Sequence, residues 1–484
     1  KQVSFVADGA ISAAGKPVVL TAVGKAAPIA QSGAGAGTPV QFETGAIDNG
    51  NISTIYDPDE QKIVVAYSDS GNSAYGTAVV GTVTSNTALS FGTPVVFESA
   101  GTQSISACYD TAADKTVIVY ADNGNSSHGT GIVGTVSGTS ISFGTATVYA
   151  SAADSRVNCC IFEPNSGKVV VASKQRIAST NYGKAHVGTV SGTSISFGTE
   201  TTWLSSSAPE YISMSHDPDN SNQILLCFRN DGSSGNGTAI VMAVSGTTTT
   251  FGTPVVFAAV SAYATQTVYD TVQNKHVIFY SNGSNNYDGK VIVGTTSGTS
   301  VSFGSAATWK IGVGYQGVYS TGACWDSTNN RIPIAYCFHN WAAPSNDYSY
   351  VLSATLDSGG TVTFSSETQF ESGAETKVNG VGGNFAAFDT NQGSMVYAYM
   401  DNTDSSTGYA LGWQPSSTNL TATNFIGISD AAILDTASGN VTIKGGIAAT
   451  GLTSLTPASD YYAQTDGTIS TSSSGDAVKI GKAM

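Results

Sequence analysis

Residues Gly134 to Thr145 read GTVSGTSISFGT, and the same letters return at Gly188 to Thr199. A near copy, GTTSGTSVSFGS, starts at Gly294; GTPVVF spans Gly92 to Phe97 and again Gly252 to Phe257; GTPVQF starts at Gly37. With the Phe-Gly-Thr junction as a ruler, the chain divides into units 37–91, 92–143, 144–197, 198–251 and 252–303. Two diverged units follow, 304–364 and 365–425, which keep the ruler as Thr363-Phe364-Ser365 and Asn424-Phe425-Ile426.

Each unit reads as four short strands. In the second, Ser104 to Tyr109, Thr116 to Ala121, Gly131 to Val136 and Thr139 to Phe143 are β-branched or apolar runs separated by Asp, Asn and Gly, the pattern of strands joined by tight turns. A repeat period above ~50 residues with four strands per unit is that of a propeller blade. The sequence therefore predicts an all-β fold: a seven-bladed β-propeller of four-stranded blades over 37–425. Residues 38–43 lack a preceding unit and are expected to complete the last blade, which removes an open sheet edge. The flanks, 1–36 (strands near Val3 to Ala7 and Lys16 to Val23, then a linker) and 426–484 (strands near Asn440 to Lys444, Tyr461 to Gln464 and Ala477 to Ile480, with a turn at Asp466-Gly467), are each short for a core of their own. They are expected to build one small β domain that serves for attachment.

Composition narrows the function. Only 11% of the 484 residues are charged, and 19 Lys and Arg against 34 Asp and Glu give a net charge of −15. Such a surface excludes nucleic acid and anionic membranes, which require clustered cations. No apolar run approaches the ~18 residues of a membrane-spanning helix. The six cysteines show no CxxC or Cys/His spacing and read as buried thiols. No metal and no cofactor is expected.

A carboxylate ends the second strand-like run of every unit: Asp57, Asp110, Glu163, Asp217, Asp270, Asp326 and Asp389. A residue needed this often reads as a turn-former, since a carboxylate can accept the N–H groups of the turn that follows. DPDEQ at Asp57 and DPDNSN at Asp217 faintly resemble calcium loops but lack the Gly and Glu of that motif. Gly312 to Gly317 matches GxGxxG, yet a β pattern follows where a dinucleotide site needs a helix. Five histidines fall in five different units, so no catalytic residue is assigned. A sialidase-like enzyme would need several arginines in one pocket, and the chain has only Arg156, Arg176, Arg229 and Arg331. The sixth unit departs most from the repeat. Its aromatics Trp309, Tyr315, Tyr319, Trp341 and Tyr348, with Trp325 and Tyr350 beside them, form the candidate ligand-binding set, and Lys174 to Lys184 is a second candidate loop. Against this stands the reading that the rings only pack a wider blade.

The repeat from Tyr67 to Phe97 and from Tyr120 to Phe143 resembles the propeller repeats of bacteriophage tail-fibre and virion structural proteins. Asp8-Gly9-Ala10-Ile11 with Gly15 to Leu20 is similar to N-terminal segments of such proteins, and Tyr461 to Ser470 with Val478 to Ala483 is similar to their C-terminal domain. The resemblance implies a homo-oligomeric, non-enzymatic tail fibre or adhesin, external on the virion and extracellular when mature. It would be held to other virion proteins by its two ends and would present the propeller to a host-surface glycan or protein. The other expectations are a purely structural decoration or collar protein, a secreted cellular surface or filament protein, and a glycan-cleaving propeller.

Overall fold

The computed structural model describes the chain apart from residues 1, 22, 30, 33–34, 49–50, 152–153, 206, 221, 315, 341–346, 373–375, 378–384, 416, 419, 421–423, 444–451, 453–454, 465–466, 474–476 and 483–484. The described residues form antiparallel sheets, with three single 3-10 turns and no α-helix. They divide into two compact units, Gly35–Pro415 on the one hand and Lys1–Ala34 with Ser416–Met484 on the other.

One module recurs in the larger unit. In its second copy, the inner half of Val95–Asp110 pairs with Lys115–Asp122, which pairs with His128–Ser137. The fourth row is split: Ser140–Phe143 covers one half of His128–Ser137 and Thr147–Ala150 covers the other. The expected strand at Thr139 to Phe143 is thus only half of the outer row. The break falls at Gly144, where an added Cβ would lie 1.8 Å from the carbonyl oxygen of Thr193 in the next module. Gly92, Gly198 and Gly252 meet the carbonyls of Thr139, Thr247 and Thr299 in the same way, at 1.9, 2.0 and 1.8 Å. The Phe-Gly-Thr junction is therefore a packing requirement, met where backbone crosses backbone too closely for any side chain.

Past the break the chain becomes the innermost strand of the next module. Val95–Asp110 and Val255–Asp270 do this without interruption and so join pairs of modules into two nine-stranded sheets. The larger unit also holds two five-stranded sheets and one of six strands. In the six-stranded sheet, Ala386–Asp389, Ser394–Asp401 and Thr407–Gln414 pair in order, and the outer row against Thr407–Gln414 comes from the start of the unit, as Gly35–Ala36 and Val40–Ala46. Both halves of that row are therefore filled. The compact unit ends at Pro415, short of the 425 at which the seventh sequence unit ends. Leu420 is buried in the core of the smaller unit, and Phe425 opens strand Phe425–Ser429, paired with Pro17–Leu20.

Continuous apolar runs such as Ile63-Val64-Val65-Ala66-Tyr67 are fully buried because both faces of each sheet meet a neighbour. Val64 and Ala66 pack with Ile105, Ile118 and Tyr120 of the following module. Ile63, Val65 and Tyr67 pack on the other side with Val396, Ala398 and Met400 of the last sheet. Successive inner strands are also joined by serines: Ser53, Ser106 and Ser213 accept the N–H groups of Ala107, Cys160 and Thr267 at 2.9, 3.1 and 2.9 Å.

The smaller unit is built from both chain ends. Its five-stranded sheet runs in the order Gln2–Val6, Ser438–Ile443, Phe425–Ser429, Pro17–Leu20, Ala26–Pro28, over a core of Ala7, Ile11, Val18, Ala26, Ile433 and Val441. A three-stranded sheet places Asp460–Ala463 between Ile469–Ser470 and Val478–Lys482. Asp466 of the expected turn lies outside the described residues.

Candidate functional site

Antiparallel pairing gives each module two ends with different chemistry. At one end lie the seven repeated carboxylates, each at most 3% exposed. Each accepts the backbone N–H groups two and three residues on: those of Asp59 and Glu60 for Asp57, Ala112 and Ala113 for Asp110, Asn165 and Ser166 for Glu163, Asp219 and Asn220 for Asp217. Asp270, Asp326 and Asp389 repeat the pattern with Val272 and Gln273, Thr328 and Asn329, and Asn391 and Gln392. Burial lifts the carboxyls of Asp57 and Asp110 above the ordinary range, opposed by these same bonds. Histidines of neighbouring modules pack here, His216 3.0 Å from Glu163 and His276 3.9 Å from Asp217. Among the described residues no three His, Cys, Asp or Glu side chains gather as a metal site.

At the opposite end the modules differ. Of the candidate aromatics, Trp309 takes an outer-row position that Phe42, Phe97, Tyr149, Trp203 and Phe257 hold in other modules. Each ring lies over a glycine of the adjacent strand (Gly408, Gly76, Gly129, Gly183, Gly237 and, for Trp309, Gly289), where a Cβ would approach to 2.4–2.7 Å. The Trp309 indole N–H donates to the Lys290 carbonyl at 3.1 Å, and the ring meets Tyr336 edge-on. Tyr348 lies beside Tyr350, which stacks on Tyr336. The Lys310 ammonium sits over Tyr336, Phe338 and Tyr350 and binds Glu367 at 2.8 and 3.0 Å. These rings are engaged in packing between modules. Tyr315 and Trp341 lie outside the described residues. The Gly312 to Gly317 stretch closes a small bridge between Val313 and Gln316 and leads into strand Gln316–Ala323, not a helix.

Tyr319 belongs to a different group, which aromatic content in the sixth unit did not reveal. Tyr211 meets Tyr263 edge-on at 5.5 Å and Tyr263 meets Tyr287 at 5.4 Å; burial and then the nearby Tyr319 phenol raise the Tyr211 phenol above its ordinary value. All four rings are half-buried. The Arg229 guanidinium lies 4.2 Å from the centre of the Tyr263 ring and pairs with Asp231 at 3.0 Å. Lys174 pairs with Glu210, the residue before Tyr211. Behind Tyr319, His339 is tilted against the ring at 5.1 Å and shares a 2.7 Å hydrogen bond with the buried Asp347. Burial raises the Tyr211 and Tyr287 phenols above their ordinary value, so the hydroxyls stay protonated and can both donate and accept.

Two of these tyrosines occupy backbone that suits smaller residues. Tyr211 has φ +50° at an inner-strand bulge, where other modules place Ser104, Val157 and Ala264. Tyr287 has φ +54° at the turn before the third strand, where others place Ala74, Ser127, Gly235 and Ser406. Left-handed backbone costs a bulky residue of order 1–2 kcal/mol, and a bulge re-aims the side chain it carries. The sequence signal was present in these two aligned columns, which hold small residues in most units and tyrosine in one.

No known protein family matches the chain, and no curated protein matches it. Among solved structures, a lectin of Burkholderia pseudomallei superposes with TM-score 0.51 at 9% identity, covering 78% of this chain and 99% of the lectin. The NanB sialidase of Streptococcus pneumoniae gives 0.43 at 9%, covering 78% and 70%, and AofleA of Arthrobotrys oligospora gives 0.40 at 8%, covering 75% and 97%. The likeness to the lectin is one of fold, and it makes the all-β architecture propeller-like.

Proposed function

We propose that residues 35–415 form a seven-bladed β-propeller that recognises a glycan without cleaving it. Two features support the ring: the first module packs against the last across Tyr67 and Met400, and strand Val40–Ala46 completes the last sheet. The observation that carries the binding reading is the cluster of Tyr211, Tyr263, Tyr287 and Tyr319, two of them held on left-handed backbone. Half-buried aromatic faces beside a few fixed polar groups, here Arg229, Asp231, Lys174 and Glu210, are what a saccharide needs: apolar stacking for its C–H face and oriented partners for its hydroxyls. The resemblance of the chain ends to phage virion segments supports display on a virion appendage, where many copies would raise the avidity of a weak single site.

The test is binding of the purified chain to a broad glycan panel, with Tyr263→Ala and Tyr287→Ala as variants. The expected result is retention of at least one glycan, a loss of tenfold or more in each variant, and no release of shortened sugar. Absence of binding to every glycan, or binding untouched by both variants, would overturn the reading.

A further inference from the structure

Three of the four arginines in this chain, Arg156, Arg176 and Arg229, come to the end of the modules that carries the tyrosine cluster; the fourth, Arg331, is buried on Asp326 at the other end. The strand registers bring them together. Arg156 lies directly opposite Lys174, and Arg176 opposite Asp154, all on one face of the third module. Lys174 reaches Glu210 of the fourth module, Glu210 lies opposite Arg229, and Arg229 covers Tyr263 of the fifth.

Four cations thus face three carboxylates, Asp154, Glu210 and Asp231, in a chain whose net charge is −15. Like charges directly opposite each other on a sheet are destabilising, and Arg156 and Lys174 are such a pair. The same end of the first, second and last modules carries Glu43, Asp69, Glu98, Asp122 and Asp401 and no arginine. The arginines are therefore concentrated beside the aromatic platform. Arg156 and Arg176 keep their guanidinium groups accessible to solvent, each able to grip an oxyanion through two parallel N–H donors.

We infer that the glycan bound at the tyrosine cluster is anionic, a saccharide bearing carboxylate or sulfate groups that engage Arg156, Arg176 and Lys174 while its ring stacks on the tyrosines. This rests on the glycan-binding reading above and adds the charge class of the ligand.

The experiment compares the full chain on neutral saccharides and on carboxylated and sulfated saccharides of matched backbone, at low and at 0.5 M salt. The expected result is at least tenfold preference for the charged forms, weakened by salt; the carboxylated and sulfated arms show which anion is read. An Arg156→Gln/Arg176→Gln double variant is expected to lose at least tenfold, whereas Lys115→Gln, at the carboxylate end, binds as the parent does. Equal binding of a neutral saccharide overturns this inference and leaves the glycan-binding reading standing. Equal loss in Lys115→Gln also overturns it, because binding would then be diffuse attraction of a polyanion. Absence of binding to any saccharide overturns both.

Discussion

The two ends of the repeated module have followed opposite rules. At the carboxylate end the chain does the same thing in every copy: a buried acid accepts two turn N–H groups, as Asp57, Asp110 and Glu163 do. At the other end the copies diverge, to a small residue in one, to Tyr211 or Tyr287 in another. Local hydrogen bonds that close a turn leave no freedom to vary, because removing the acceptor strands buried donors. Residues that only decorate a bulge or a turn can change at the cost of some strain. The repeated end therefore carries stability, and the varied end is where the proposed recognition is placed.

The largest expected effect tests the repeated end at the copy whose acid also holds a buried arginine. Asp326 accepts from Thr328 and Asn329 and also holds the buried Arg331 at 3.0 Å. Asp326→Ala should destabilise by about 3–5 kcal/mol, because it leaves a buried cation without its carboxylate. Asp57→Ala, at a site whose carboxylate serves the turn donors of Asp59 and Glu60, should cost nearer 1–2 kcal/mol. Urea unfolding of the two variants measures the gap, and equal losses would remove the special weight given to Asp326.

A somewhat smaller effect concerns pH. Burial drives the His276 imidazole down to about 4, partly opposed by Asp217. The unfolded residue takes up its proton near the ordinary 6.5, the folded one only near 4, so between these values the unfolded state binds more protons. The contribution is whole above pH 6.5 and is lost as pH falls toward 4, by roughly 3 kcal/mol. Unfolding curves at pH 7, 5.5 and 4 should show this slope, and His276→Asn should flatten it.

The smallest effect probes the varied end. Tyr287→Gly gives up the ring contact with Tyr263 but relieves left-handed backbone at φ +54°. The two terms are of similar size, so stability should change by less than about 1 kcal/mol. A thermal melt that drops like that of Asp326→Ala would show the tyrosine to be part of the scaffold and would erase the distinction between the ends.

The repeat was legible because the Phe-Gly-Thr junction is dictated by backbone crossing at Gly92, Gly144, Gly198 and Gly252, so it could not drift. The turn acids were legible for the same reason. The split outer row was not: apolar runs mark strands, and Thr147–Ala150 is too short to stand out from the linker it follows. Strand Val40–Ala46 completes the last module where residues 38–43 were expected to do so; the end of the larger unit at Pro415 was not legible, because Gly35–Ala36 fills the other half of that row and a two-residue strand leaves no local pattern. The candidate site was legible at Tyr319 and at Lys174, which opens the second candidate loop and pairs with Glu210. Aromatic abundance pointed to the sixth unit, but Trp309 repeats a packing position over Gly289. Tyr211, Tyr263 and Tyr287 belong to the fourth and fifth units, whose overall regularity hid them.

The pairing of Val40–Ala46 with Thr407–Gln414 also sets an order in time. A ribosome adding about 5–20 residues per second needs roughly 20–70 s to travel between these segments. Throughout that interval the early strand has no ladder partner, and the growing sheets present an unpaired edge of the kind that recruits other chains. Synthesis and chaperoning, more than equilibrium stability, would then govern yield. A truncation ending before residue 407 should accumulate as aggregate, whereas joining the ends of Gly35–Pro415 and reopening the chain within another turn would shorten the wait without changing a single contact of the finished sheet.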